Sequence, residues 1–163
     1  MSATSLNLAC TLRDLFALLR LRVCLLATLG TGTGYAMRLS ASGHEAVWTG
    51  VWSGIWPALV GSFLLAGSCS ALNQHQERRE DGLMRRTQGR ALPSGRLAPG
   101  LALALGGSGL LLAALALTAY GPLCAAFVPL TALIYNGVYT PLKKRTNLAM
   151  LVGGLAGALP PVL

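Results

Sequence analysis

From Leu97 to Leu142 the chain carries no charged residue at all. A single helix of about 20 residues already crosses about 30 Å of hydrocarbon, so this stretch is long enough to cross twice. Gly121-Pro122 punctuates it near its middle, a pairing that ends one helix and starts another. The reading is two spans, 98–118 and 122–140. The rest of the composition agrees: 11% of residues are charged, against about 25% in soluble domains, and the mean hydropathy is +0.58.

Three further spans complete the expected set. The first covers 16–38, with Arg20 and Arg22 snorkelling at its edge. The second covers 51–72, and the fifth covers 147–163. Residues 1–15 are expected to form an N-terminal cytoplasmic segment. A basic start followed by the small residues 39–42 imitates a cleaved signal peptide, but the later spans favour an uncleaved helix. Twelve of the thirteen Lys and Arg residues fall before 23, in 78–96 or in 143–145. With helices alternating in direction, these regions share one face, the cytoplasmic one by the positive-inside rule. The net charge of +8 therefore sets topology. The expected partner is a lipid bilayer, and no nucleic acid. Cys10, Cys24, Cys69 and Cys124 are too scattered for a disulfide framework or a zinc site. Trp48, Trp52 and Trp56 lie on one helical face and read as an interfacial belt. The fold class is an all-α polytopic transmembrane bundle of about five spans.

Between the second and third spans lies a polar island, residues 73–96, holding three of the five acids and six of the thirteen bases. Asn73, Glu77 and Asp81 follow one another at steps of four, which on a helix drift by only about 40° per step. They form one stripe where the second span ends. Two carboxylates spaced i, i+4 repel, and a hard cation with oxygen ligands relieves that repulsion. Arg85, Arg86 and Arg90 follow, suited to bidentate contact with phosphate. One reading is a metal-diphosphate site at the membrane surface. The other is a charged turn whose acids pair with neighbouring arginines. His75 lies about 200° from Asn73 by helical geometry, off the stripe, and His44 sits in an outer loop. Tyr135 and Tyr139, one turn apart, suit either steadying of an allylic cation through their π faces or interface anchoring. Asn136, an amide inside the fourth span, calls for a helix–helix hydrogen bond.

The pattern Asn73-x3-Glu77-x3-Asp81-x2-Met84-x-Arg86-Thr87-x2-Arg90 resembles the first aspartate-rich motif of the UbiA-type intramembrane prenyltransferases. The Met84-x-Arg86-Thr87 continuation is similar to the branch that farnesylates protoheme IX. Tyr139-Thr140-x2-Lys143-x-Arg145-Thr146 and Gly153-Gly154-x2-Gly157-Ala158-x-Pro160-Pro161 resemble later blocks of the same family. The resemblance implies a nine-helix fold of which this chain is the first part. It also implies transfer of a farnesyl group from farnesyl diphosphate to a vinyl group of haem B, giving haem O. By resemblance, Asn73, Glu77 and Asp81 hold Mg²⁺ against the diphosphate, and Arg86 and Arg90 bind its oxygens. A bacterial inner membrane is the implied location. Glu77 stands where the family has Asp, and the family's second aspartate-rich motif lies beyond this chain, so inactivity of the chain by itself is expected. The competing functions are a UbiA-type enzyme with a quinone, chlorophyll or glycerol phosphate acceptor, and a non-catalytic membrane assembly protein.

Overall fold

The structure, a computed structural model, describes residues 3–41, 48–146, 149, 151, 153 and 154, with backbone alone for 3–10 and 48–53. Among these residues there is no strand. The helices are α1 (Ala3–Leu19), α2 (Leu21–Ala41), α3 (Trp48–Leu83), α4 (Pro99–Leu117), α5 (Pro122–Ala132) and the single turn α6 (Thr140–Leu142). A 3₁₀ turn, Thr118–Tyr120, precedes α5, and a π-helical segment, Leu133–Tyr139, joins α5 to α6. Three helical stretches are long and apolar enough to cross a membrane, or four if the bent pair α1–α2 counts as one.

Everything packs on α3, which touches α1, α2, α4 and α5. At 36 residues it is about 54 Å long, well beyond the hydrocarbon thickness. Its last turns therefore reach beyond the hydrocarbon and carry the stripe. Leu101, Leu111, Leu112, Leu115, Leu26 and Leu29 face outward from the surrounding helices, as lipid-facing side chains do. On α4 the buried residues are Ala102, Gly106, Gly109, Ala113 and Leu117, a stripe at steps of three and four. It lets α4 lie close against α3: a Cβ on Gly106 would sit 2.6 Å from Leu72 Cγ, and one on Gly109 would strike Ser68 Oγ. Small residues at such a seam are how helices pack in lipid, where no hydrophobic force draws them together.

Of three irregularities in the helices, two are closed by a side chain from elsewhere in the chain. Pro57 lies inside α3 and removes an amide from the ladder. The Tyr120 hydroxyl donates to the Gly54 carbonyl and accepts from the Ala58 amide at 3.2 Å. Those are the two groups an uninterrupted helix would join directly. The second break divides the helix expected over 16–38: Arg20 takes φ 52° and α1 meets α2 at a 46° bend. A left-handed non-glycine residue costs about 1–2 kcal/mol, so the bend needs outside support. Gln74 of α3 supplies it, donating through Nε2 to the carbonyls of Ala17 (3.2 Å) and Leu18 (2.6 Å), while Cys24 Sγ meets the Leu19 carbonyl at 3.0 Å. These are the carbonyls that a helix end leaves without partners. Residues 11–15, expected within a separate polar segment, are continuous with α1. The third irregularity is the π segment, with Thr140 Oγ1 2.9 Å from the Tyr135 carbonyl. Gly121 at φ 107° and Pro122 at the first turn of α5 divide the long uncharged run where the sequence suggests. Asn136 is buried in the π segment and engages the Cys69 thiol of α3, a contact between helices of the kind expected of it. The fifth span, Trp48, Trp52, His44 and Cys10 lie outside the described side chains.

Residues 84–98 do not hang free. Ala91, Leu92 and Leu97 are buried with Leu18, Ala71 and Ala102, which pins the arginine-bearing loop to α1, α3 and α4. Replacing Tyr120 with Phe is expected to lower stability by about 1–3 kcal/mol, the cost of unpairing buried polar groups. Thermal unfolding in detergent checks this, and Tyr35→Phe, a second tyrosine packed edge-on against Tyr120, serves as the control with a smaller loss.

Candidate functional site

The stripe on α3 and the basic turn after α6 meet at one end of the bundle. Asn73 is fully buried. Its Nδ2 donates to Glu77 Oε2 at 3.0 Å, and its Oδ1 accepts from Thr140 Oγ1 at 2.9 Å and Lys143 Nζ at 3.3 Å. Lys143 Nζ also lies 2.6 Å from Glu77 Oε1. Asn73 thus clamps α3 to α6 and fixes both Glu77 and Lys143. One helical turn on, Asp81 Oδ2 pairs with Arg90 Nη1 at 2.7 Å, and Thr87 Oγ1 donates to the Asp81 carbonyl at 2.9 Å. Glu80 pairs with Lys144.

These groups wall a cavity of about 570 Å³. Its charged lining consists of Glu77, Glu80 and Asp81 facing Arg20, Arg86, Arg90, Lys143 and Lys144. Cations outnumber acids by five to three, so the cavity attracts anions. Guanidinium groups of the 84–98 loop and ammonium groups of the turn after α6 suit a ligand with several phosphate oxygens. The structure therefore brings together Glu77, Asp81, Arg86 and Arg90 of the residues singled out in the sequence. Asn73 stands behind them, its amide engaged on both sides, and does not line the cavity. Tyr135 and Tyr139 stack with ring centroids 5.2 Å apart and an interplanar angle of 31°, and Lys143 Nζ lies 5.2 Å from the Tyr139 centroid. Neither tyrosine is among the cavity-lining residues. His75 points elsewhere, its Nδ1 3.0 Å from the Pro99 carbonyl.

Among the described residues no cluster of three or more His, Cys, Asp or Glu side chains is placed to hold a metal ion. What the cavity offers is two carboxylates of the stripe on one wall, an oxygen-only donor set of the kind a hard divalent cation takes together with phosphate oxygens and water. The fit is to a cation arriving with its anion, since Lys143 and Arg90 balance Glu77 and Asp81 otherwise. Sequence reasoning missed Arg20, Glu80, Thr140, Lys143 and Lys144 as site residues. The available signals are the basic triplet 143–145 and the Thr140-x2-Lys143 block that resembles the family.

Residues 29–163 match the UbiA prenyltransferase family. A protoheme IX farnesyltransferase of Geobacter sulfurreducens is 44% identical over 94% of this chain and 53% of its own length. That of Oleidesulfovibrio alaskensis is 39% identical over 93% of this chain and 51% of its own length. A third, from Myxococcus xanthus, is 50% identical over 60% of this chain and 33% of its own length. The chain spans about half the length of the curated relatives it matches over most of its length. No solved structure gives a significant match.

The electrostatics of this end make a pH-dependent clamp. Lys144, hydrogen-bonded to Glu80, holds that carboxyl below its ordinary value of 4.5. Arg96, hydrogen-bonded to Asp14, lowers that carboxyl below its ordinary 3.8. A carboxyl whose folded value is depressed contributes stability that is complete above the ordinary value and is lost as pH falls through the folded one. Stability is therefore expected to be flat from pH 7 to about 5 and to fall below about 4, as these acids protonate. Thermal unfolding at stepped pH checks this, and Asp14→Asn with Glu80→Gln should flatten the acid limb.

Proposed function

Because the chain belongs to the UbiA prenyltransferase family, we propose that its polar end holds the diphosphate of a prenyl donor for transfer to a haem acceptor. The chain is an integral membrane protein, with three or more helices apolar enough to cross. On this reading the donor is farnesyl diphosphate, the acceptor protoheme IX and the product haem O, in keeping with the names of the relatives. The observation that carries the reading is the cavity where Glu77 and Asp81 face five cationic side chains.

The chemistry asks for few groups. The bond between C1 of the farnesyl chain and the diphosphate oxygen breaks, and its electron pair leaves with the diphosphate. C1 then bonds to the terminal carbon of a vinyl group. Water takes up the cation left on the inner vinyl carbon and loses a proton, giving a hydroxyl. Negative charge thus grows on the leaving group, and preorganised donors aimed at that charge lower the barrier. Arg86, Arg90, Lys143 and Lys144 are such donors. Glu77 and Asp81 would hold Mg²⁺, which when bound supplies further charge neutralisation to the diphosphate. Asn73 keeps Glu77 in place through Nδ2. Tyr135 and Tyr139, outside the cavity lining, could reach the allylic cation with a π face only if Lys143 moves off the Tyr139 ring onto the diphosphate. Thr140 secures the clamp from α6. The polar end, with the N-terminus and residues 73–96, faces the cytoplasm, the inner membrane of a bacterium being the setting in which basic segments stay inside.

In membranes of cells producing the protein in its longest encoded form, Glu77→Gln and Asp81→Asn are each expected to lower haem O formation by at least about a hundredfold. Extraction and chromatography of the haems read the result. Mg²⁺-dependent binding of inorganic diphosphate should weaken in both variants. Unchanged haem O in either one sinks the assignment.

A further inference from the structure

A second cavity, of about 780 Å³, opens on the other side of Arg20. It lies between α1, the 84–98 loop and Gln74 of α3, and its charged lining is Arg13, Arg20, Arg86, Arg90 and Arg96 against the single acid Asp14. Asp14 is already consumed by Arg96, with Nε and Nη2 at 2.8 and 3.0 Å from its two oxygens. Arg90 is paired with Asp81. Arg13, Arg20 and Arg86 have no carboxylate within ion-pair distance among the described residues. Arginines on three separate elements converge here without the acids that normally separate them. Arg13 and Arg86 are exposed and Arg20 half-buried, and together they make the space a region of positive potential that draws anions.

Resting on the donor site proposed above, we infer that this second cavity binds the paired carboxylates of the porphyrin acceptor. Arg20, Arg86 and Arg90 line both cavities, so anions in the two lie across the same three guanidiniums. The shared arginines place the two reactants in adjoining chambers, which makes their encounter intramolecular. Protoheme IX carries its two propionates on neighbouring pyrroles and its vinyl groups on the other two. Holding it by the propionates leaves the vinyl-bearing half free to reach the apolar body of the bundle. Arginine is the side chain whose fork matches a carboxylate in two parallel hydrogen bonds.

The test uses Arg13, which lines the second cavity alone and is exposed on α1, so its replacement leaves the core intact. The full chain in phosphatidylcholine nanodiscs is titrated with haem B and with haem B dimethyl ester, followed by the Soret band. Haem B is expected to bind about tenfold more tightly than the ester, and Arg13→Gln to remove about tenfold from haem B while leaving the ester unmoved. Arg13→Lys should restore most of the loss. Equal affinity for acid and ester overturns the inference, as does unchanged haem B affinity in an Arg13→Gln protein with wild-type circular dichroism. A lipid phosphate in the cavity would show as phosphatidylglycerol retained in native mass spectra and lost with Arg13→Gln while haem B affinity stays put, which also overturns it. Inorganic diphosphate binding on the same samples reports the first cavity separately. Its absence alongside an Arg13-dependent preference for haem B over the ester would sink the donor site and support the acceptor site.

Discussion

In hydrocarbon, a backbone amide or carbonyl has nothing to bond to except the protein itself. That constraint makes this chain helical and also decides where it can afford to bend. At two irregularities a side chain from far along the sequence takes up the groups set free, Tyr120 at Pro57 and Gln74 at the Arg20 bend. At the π segment Thr140 adds its hydroxyl to a carbonyl that its own amide already bonds. The bends are therefore properties of the assembled bundle, and they fix the relative positions of α1, α3 and α5.

The same patches position the polar end. Gln74 follows Asn73, so the residue that secures the α1–α2 bend is next to the one that locks Glu77 to Lys143. Thr140 bonds both the π segment and Asn73. Its single proton is shared between two acceptors, and that small contact ties a distorted helix to the stripe on α3. A buried amide holding a Glu–Lys pair is costly to break from either side, since the remaining charge would be left uncompensated. Rigidity of this kind is what a preorganised anion site requires.

Much of this was legible in the residues. Long uncharged runs mark helices that cross, Gly121-Pro122 marks a break because proline has no amide to continue a helix and glycine tolerates a turn, and a step of four marks a stripe. Less could be read from spacing about which way each stripe residue turns. Asn73 lies on the stripe yet points into the bundle, because Thr140 and Lys143 approach it from 67 and 70 positions away. Arg20 reads as a snorkelling edge residue, and only the packing of Gln74 shows that the helix is divided there. The basic triplet at 143–145 has a topological explanation that is sufficient by itself, which concealed its second use against Glu77 and Glu80. Local pattern reveals elements. Pairing across the bundle depends on the fold.

The left-handed geometry of Arg20 has one further consequence. Its guanidinium, with those of Arg86 and Arg90, belongs to both anion cavities at once. Positive potential drawn to one occupant is withdrawn from the other, and at such separations the repulsion between two bound anions is only partly screened. Three cations common to both chambers tie their electrostatics together, so a change of charge in one is felt in the other.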